Sequence, residues 1–158
     1  MTRSIPRNVR DANPGNIDQS NTKWQGLMPY DQQSPIQRAE TRFAVFVSPR
    51  FGFRALCATL RTYIVEDDCR TIEEIVSRWA PPVENNTAAY IQCVQLDTGF
   101  SKTAVLVPDG PTLYKLAHAI TTQETGGVFN TWWKAADLQW GSSEVALEHP
   151  VSEERESR

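Results

Sequence analysis

The chain has 158 residues, of which 40% are hydrophobic and 22% charged. That is enough for one domain with a buried core and too little for two full domains. The longest apolar stretches, such as FAVFV at 43–47, run about five residues where a membrane-spanning helix needs roughly 20, so a soluble protein is expected. The net charge of −3 falls entirely after residue 143, leaving a body of 14 basic and 14 acidic residues. A nucleic-acid footprint needs a basic excess, and the only local one is Arg3, Arg7 and Arg10, so no nucleic-acid partner is expected.

The first residues carry charge but no apolar h-region, which predicts no cleaved Sec signal. Cys57, Cys69 and Cys93 are odd in number and lack CxxC spacing, and His118 and His149 are the only histidines. Neither a disulfide framework, a zinc site nor a His-based triad is indicated, and no metal or organic cofactor is expected. Acid–base chemistry falls mainly to carboxylates.

Residues 1–42 are rich in Asn, Gln, Ser and Pro, with Trp24, Met28, Tyr30 and Ile36 scattered without a period, and read as ordered loop. Asn13-Pro14-Gly15-Asn16 is a turn in which Pro14 fixes one φ and Gly15 is expected to supply a positive one. FAVFV reads as one buried strand. Ser48-Pro49 then opens a helix, whose stripe is Phe53, Leu56, Cys57, Leu60, Tyr63 and Ile64. Thr71-Ile72-Glu73-Glu74 is a capping-box match for a short helix with Ile72, Ile75, Val76 and Trp79 inward, stopped at Pro81-Pro82. A third helix starts at Asn85-Asn86-Thr87 and ends before Gly99. Asp109-Gly110-Pro111 opens a fourth, with Leu113, Leu116, Ala117 and Ile120 inward, which stops around Glu124–Gly127.

The segment 128–140 holds Phe129, Trp132, Trp133 and Trp140, too much aromatic surface to leave in water, and is expected to pack back on the helices. Adjacent Trp132 and Trp133 cannot both face one core, so one of them is a candidate for exposure. After residue 142 the chain is Glu-rich, and a disordered acidic tail over 142–158 is expected.

Glu124 is the most informative candidate. It lies four positions after Ile120 and eleven after Leu113, so the 3.6-residue period carries it on the buried stripe. Burial and the negative end of the helix dipole both disfavour its charged form. A protonated acid of that kind is what glycoside cleavage uses on the leaving-group oxygen. The alternative is a helix that frays before Glu124 and leaves it in water.

RNVRDANPGNI, KWQG, ETRFAVFVSPRFGFRAL, TIEEIVSRWAPPVENNTAAYIQCV and LAHAITTQETGG, in that order, resemble a family of phage virion-associated, lysozyme-like proteins over residues 7–127. WAPPxENxTxxY at 79–90 is the most specific part. The resemblance implies a mainly α, lysozyme-like (α+β) domain with a small β element, over residues 5–141. It also implies a peptidoglycan-degrading function in a virion, acting at the host envelope during entry or release.

A more distant similarity is to flagellar and autolysin-type glucosaminidases, in which a helix ending in Glu-Ser-x-x-Gly precedes an Asn-rich turn, Trp-x-Gly and a strand-like segment. Here the Glu-bearing helix comes last, which implies a circular permutation that places Glu124 beside residues 13–24. On that similarity Glu124 is the general acid and Glu40 the second carboxylate, with Asn13, Asn16, Trp24 and Tyr90 lining a saccharide site. Turn formation and core packing account equally well for Asn13, Asn16, Trp24 and Tyr90, and Glu40 reads also as a solvated loop acid. Glu84, between Pro81-Pro82 and the next helix, reads as part of a rigid connector, since a helix N-terminus lowers a carboxylate pKa. His118 reads as structural.

Two functions from different classes follow. One is cleavage of the glycan strand, as a muramidase or glucosaminidase or by a lytic transglycosylase route. The other is a non-catalytic virion component binding glycan or a neighbouring virion protein. An amidase or peptidase is disfavoured by the lack of a Cys–His pair or zinc cluster.

Overall fold

The computed structural model describes residues 4–151. The fold is mainly helical: α1 (Arg7–Arg10), α2 (Pro35–Ala39), α3 (Pro49–Val65), α4 (Ile72–Trp79), α5 (Thr87–Thr98), α6 (Gly110–Thr125), α7 (Phe129–Trp132) and α8 (Ala135–Glu148), with a 3-10 turn at Tyr30–Gln32. α3 is the hub and packs on α8, α6 and α4, while α6 also touches α5, α7, α8 and α1. The buried stripe of α3 is the expected one, Phe53, Leu56, Cys57, Leu60 and Ile64, and meets Ile72, Ile75 and Val76 of α4, Leu113, Leu116 and Ile120 of α6, and Leu138 and Val145 of α8.

The helix boundaries follow their caps. The Asp109 side chain accepts from Thr112 N at 2.8 Å, Asn86 caps α5, and Thr71 caps α4 by accepting from Glu74 N at 3.2 Å. Gly99 and Gly126 both end their helices at φ 77°, where an L side chain would be strained.

Four expectations are corrected. The first 42 residues are not all loop, since α1, the 3-10 turn and α2 lie there. Ser34 caps α2 in a full capping box with Gln37, with Pro35 in the first turn. FAVFV is buried through Phe46 but pairs only through isolated bridges, Asp18 with Phe43 and Leu27 with Phe46. Irregular backbone on both sides takes its hydrogen bonds, with Ala44 N donating to Ile17 O and Met28 N to Val45 O, both at 2.9 Å. No ladder continues because the partners are Asn- and Pro-interrupted turns.

The Asn13–Asn16 turn closes through Asn16 N to Asn13 O at 3.0 Å, but the positive φ falls at Asn16 (48°), not Gly15. Gly15 sits in a tight space: a Cβ there would meet Leu56 Cδ1 at 3.0 Å and Trp79 Cη2 at 3.2 Å. The acidic-tail expectation fails for 142–148, which finish α8 with Ser142 and Val145 buried. Small residues let α8 close on α3, since a Cβ on Gly141 would lie 2.7 Å from Arg54 N. Residues 152–158 of the expected tail lie outside the described residues, as does Arg3.

The aromatic segment does pack back. Trp133 is buried and Trp132 half-buried, and Phe53 of α3 meets Phe129 and Trp133 with ring centroids 6.0 and 5.4 Å away. Among the described residues no helix is long and apolar enough to cross a membrane.

Candidate functional site

An open cleft of about 960 Å3 runs between the N-terminal turns and the α3–α4–α6 helices. Gly15, Asn16, Trp24, Arg42, Tyr63, Trp79, Glu84 and Glu124 are among the residues that line it. Gly15 fits against Trp79, which brings the turn down onto α4 and sets one wall. Glu124 enters from the last turn of α6, before Gly126 reverses the chain.

The next residue fixes that end of α6. Thr125 Oγ1 accepts from Asn8 Nδ2 and from Trp133 Nε1, each at 2.9 Å, and donates to Thr121 O at 2.6 Å. Glu124, at the end of α6, shares one cleft with residues 15–18, Ser20 and Trp24.

The Glu124 carboxyl is half-buried, and Trp79 Nε1 donates to its Oε1 at 3.2 Å. Desolvation is the largest influence and pushes its pKa above the ordinary 4.5, against smaller opposing effects of Trp79, the Asn16 side chain and the positive charge of Arg42. Burial disfavours the charged form, while the indole keeps the side chain aimed.

Because folding raises this pKa, the native state binds a proton there that the unfolded chain releases. The linked stability is full below the unfolded value near 4.5 and is lost as pH rises through the raised one. Glu124→Gln is therefore expected to raise the melting temperature at pH 8 and to lose that gain by pH 4. Melting curves at the two pH values check this, and an equal effect at both would mean that the carboxyl is not desolvated.

The other candidates separate. Asn16 lines the cleft, and its Oδ1 is buried without a hydrogen-bond partner. Trp24 lines it too, with a buried and equally unpartnered Nε1. Asn13 does not line it. Its side chain is 0% exposed, donates to Ile17 O at 3.0 Å and Ala44 O at 2.8 Å, and accepts from Ile17 N at 2.9 Å. It holds the turn that presents Asn16.

Tyr90 is also behind the wall. Its hydroxyl is buried without a hydrogen-bond partner, and burial, with the nearby Glu124 charge, pushes its pKa up. Tyr90 therefore packs behind Glu124 and Trp79 rather than lining the cleft.

Glu40 is a clear correction, since it does not line the cleft. It is ion-paired with both Arg7 and Arg10. Arg10 also pairs with the buried Asp11 at 3.1 Å, so the cluster locks α1 to the end of α2. Glu40→Gln is expected to cost about 1 kcal/mol in urea denaturation, as a partly exposed pair should, and to leave any glycan-cleaving rate unchanged. A rate that fell with stability intact would return Glu40 to the site.

The carboxylates that do join Glu124 in the cleft are Asp18 and Glu84. Arg42 lies between them, with its Nε 3.2 Å from Asp18 Oδ1 and its Nη2 3.8 Å from Glu84 Oε2. Glu84 is thus more than connector. Asp18, Arg42, Tyr63 and Trp79 were not singled out as site residues, although Trp79 opens the WAPPxENxTxxY stretch and Arg42 lies in ETRFAVFV: they meet only when the 13–24 and 41–43 segments fold over α3 and α4. His118 is structural as expected, with Nδ1 3.1 Å from the Asp97 carboxylate and its ring stacked on Phe129 at 4.4 Å.

All three cysteines are free thiols. Among the described residues no group of three or more His, Cys, Asp or Glu side chains is placed to hold a metal ion. The chain is thus a mainly helical domain with one desolvated carboxyl in an open cleft walled by aromatic and charged side chains. No protein-family model matches it.

Over 99 residues it is 35% identical to Protein P5 of Pseudoalteromonas phage PM2, in an alignment covering 61% of this chain and 58% of that protein. The chain is similar to a bacteriophage protein and matches less than two thirds of that relative's length.

Proposed function

We propose that this domain cleaves the glycan strand of bacterial peptidoglycan, with Glu124 as the general acid. The observation that carries the reading is the desolvated, indole-bonded carboxyl at the wall of a large open cleft. Protonated Glu124 donates to the bridging oxygen as the bond from that oxygen to the anomeric carbon breaks, leaving an oxocarbenium-like centre. Trp24, Tyr63 and Trp79 supply the flat apolar faces on which sugar rings pack, and the Asn16 side chain helps to hold Glu124.

Completion of the reaction needs a nucleophile. With Glu40 held away by two arginines, attack by the substrate's own hydroxyl, the lytic transglycosylase route, is favoured over hydrolysis assisted by that carboxylate. Asp18 and Glu84 are the cleft carboxylates able to stabilise positive charge, and Arg42 sets their spacing.

Similarity to a bacteriophage protein supports a place in a virion, with action at the host envelope. Peptidoglycan is then the partner, beside neighbouring virion proteins.

The test is clearing of purified peptidoglycan by the wild-type protein and by Glu124→Gln, with mass spectrometry of the fragments. Clearing that depends on Glu124 and yields anhydro sugar ends is expected. Reducing ends would replace the transglycosylase route with hydrolysis. No clearing by folded wild-type protein would leave a non-catalytic virion component as the reading, for which the aromatic and charged walls of the cleft would serve binding alone.

A further inference from the structure

The polar neighbours of Glu124 come from two separate parts of the chain. Asn16 bonds to its carboxyl from the 13–16 turn, and Trp79 does so from the end of α4, where Gly15 of the same turn packs against the indole. Glu124 itself is carried by the last turn of α6. Its surroundings therefore depend on how the turn is set against that helix end.

One side chain joins the two. Asn8 of α1 is 1% exposed and does not line the cleft. Its Nδ2 carries two hydrogens and donates both, one to Pro14 O in the turn at 3.1 Å and one at 2.9 Å to Oγ1 of Thr125, the residue after Glu124. Its backbone carbonyl accepts from Asn13 N at 2.8 Å, which closes the start of the same turn. On either side of Asn8, Arg7 and Arg10 pin α1 through Glu40, so the amide is held from its own end as well.

A closed circuit results: from the Asn8 amide through Pro14 and the turn to Asn16 and Glu124, and back along the chain through Thr125. We infer that Asn8 is a positioning residue for Glu124, whose one amide sets the turn that carries Asn16 against the helix end that carries the acid. The inference rests on the glycan reading for its chemistry and adds a residue that never meets the substrate. A misplacement of about 1 Å at a reacting group costs about 100-fold in rate, so an amide outside the cleft can govern the step. The competing account is a buried amide that stabilises the fold and does nothing more.

The experiment uses the full chain with Asn8→Leu, which keeps the side-chain size and removes the amide, and with Thr125→Val, which removes the hydroxyl that Asn8 reaches. Thr125→Ser keeps that hydroxyl. Val145→Ala, at a buried position of α8 away from the cleft, controls for lost stability alone. Two quantities are read: kcat and KM for release of soluble fragments, and the Trp79 indole N–H resonance through pH, which steps as its partner Glu124 ionises.

Expected for Asn8→Leu and Thr125→Val is a kcat lower by about 10- to 100-fold with KM little changed, and loss of the step in the Trp79 resonance. Thr125→Ser and Val145→Ala should keep both. If Asn8→Leu does not fold, Thr125→Val decides. If kcat and the step both survive in the folded variants while their melting temperatures fall, the amide is structural only and the inference is overturned. If the wild-type protein releases no fragments, the glycan reading falls, and the indole step alone decides: its loss supports the positioning role and its survival overturns it.

Discussion

Glu124→Gln is expected to lower the rate of glycan-strand cleavage by about 100- to 10,000-fold, the range that a positioned general acid contributes. Gln is nearly isosteric, and its amide oxygen can still accept the Trp79 Nε1 bond seen at 3.2 Å. The side chain would stay in place while the transferable proton is lost. Desolvation raises the Glu124 pKa, so the acid form persists to higher pH than for an ordinary carboxyl. Activity that needs this form falls as pH rises through the raised pKa, and the alkaline limb of a pH–rate profile reports it. The measurement is release of soluble fragments by folded wild type and variant across pH 4 to 9. Equal rates for the two proteins would remove Glu124 from the chemistry altogether.

The second large effect is on stability. Phe53→Ala is expected to destabilise the fold by about 3–5 kcal/mol, since it deletes a fully buried ring from the second turn of α3. Its ring packs edge-on against Trp133 and tilted against Phe129. The cavity left would therefore loosen the whole 129–133 segment. For a domain whose total stability is about 5–15 kcal/mol, such a loss takes a large share. Urea denaturation should show a lower midpoint with an unchanged slope. A loss below about 1 kcal/mol would mean that the three rings do not form one packed unit.

The helices that carry most of the core were legible because their signals are local. Thr71, Asn86 and Asp109 each cap the helix that follows them, and Ser48-Pro49 opens α3 where it was expected. α2 carries the same Ser-Pro signal at Ser34-Pro35, but its single turn is too short to show a 3.6-residue stripe. α8 was not read as a helix, and its last turns were read as tail, because hydrophobic periodicity weighs Gly141 and Ser142 as polar or neutral. In the fold they are the residues that allow close approach to α3.

The site was legible in proportion to how local its cause is. The burial of Glu124 follows from its register on α6. The loss of Glu40 to an ion cluster depends on Arg7 and Arg10, some 30 residues earlier in the chain, and no spacing rule connects them. Asn13 and Asn16 sit in one turn and look equivalent as letters. Their fates differ because the turn buries the first amide against Ile17 and Ala44 and gives the second a φ of 48° at the cleft edge. Asp18 and Arg42 meet through the bridge of 18 with 43, and Glu84 reaches Arg42 from the turn after α4, none of which periodicity reveals.

Thr125 ties together residues 8, 121 and 133 through one hydroxyl, and the bond to Asn8 spans 117 positions. Such distant partners meet only after most of the chain is available, and a chain emerges from the ribosome N-terminus first. Asn8 is made early and waits for Trp133. A nascent chain therefore has the turn, the long helix and even the acid itself before it has the junction that fixes them. Of the three groups that this hydroxyl joins, the last to be made is an aromatic residue that never lines the cleft.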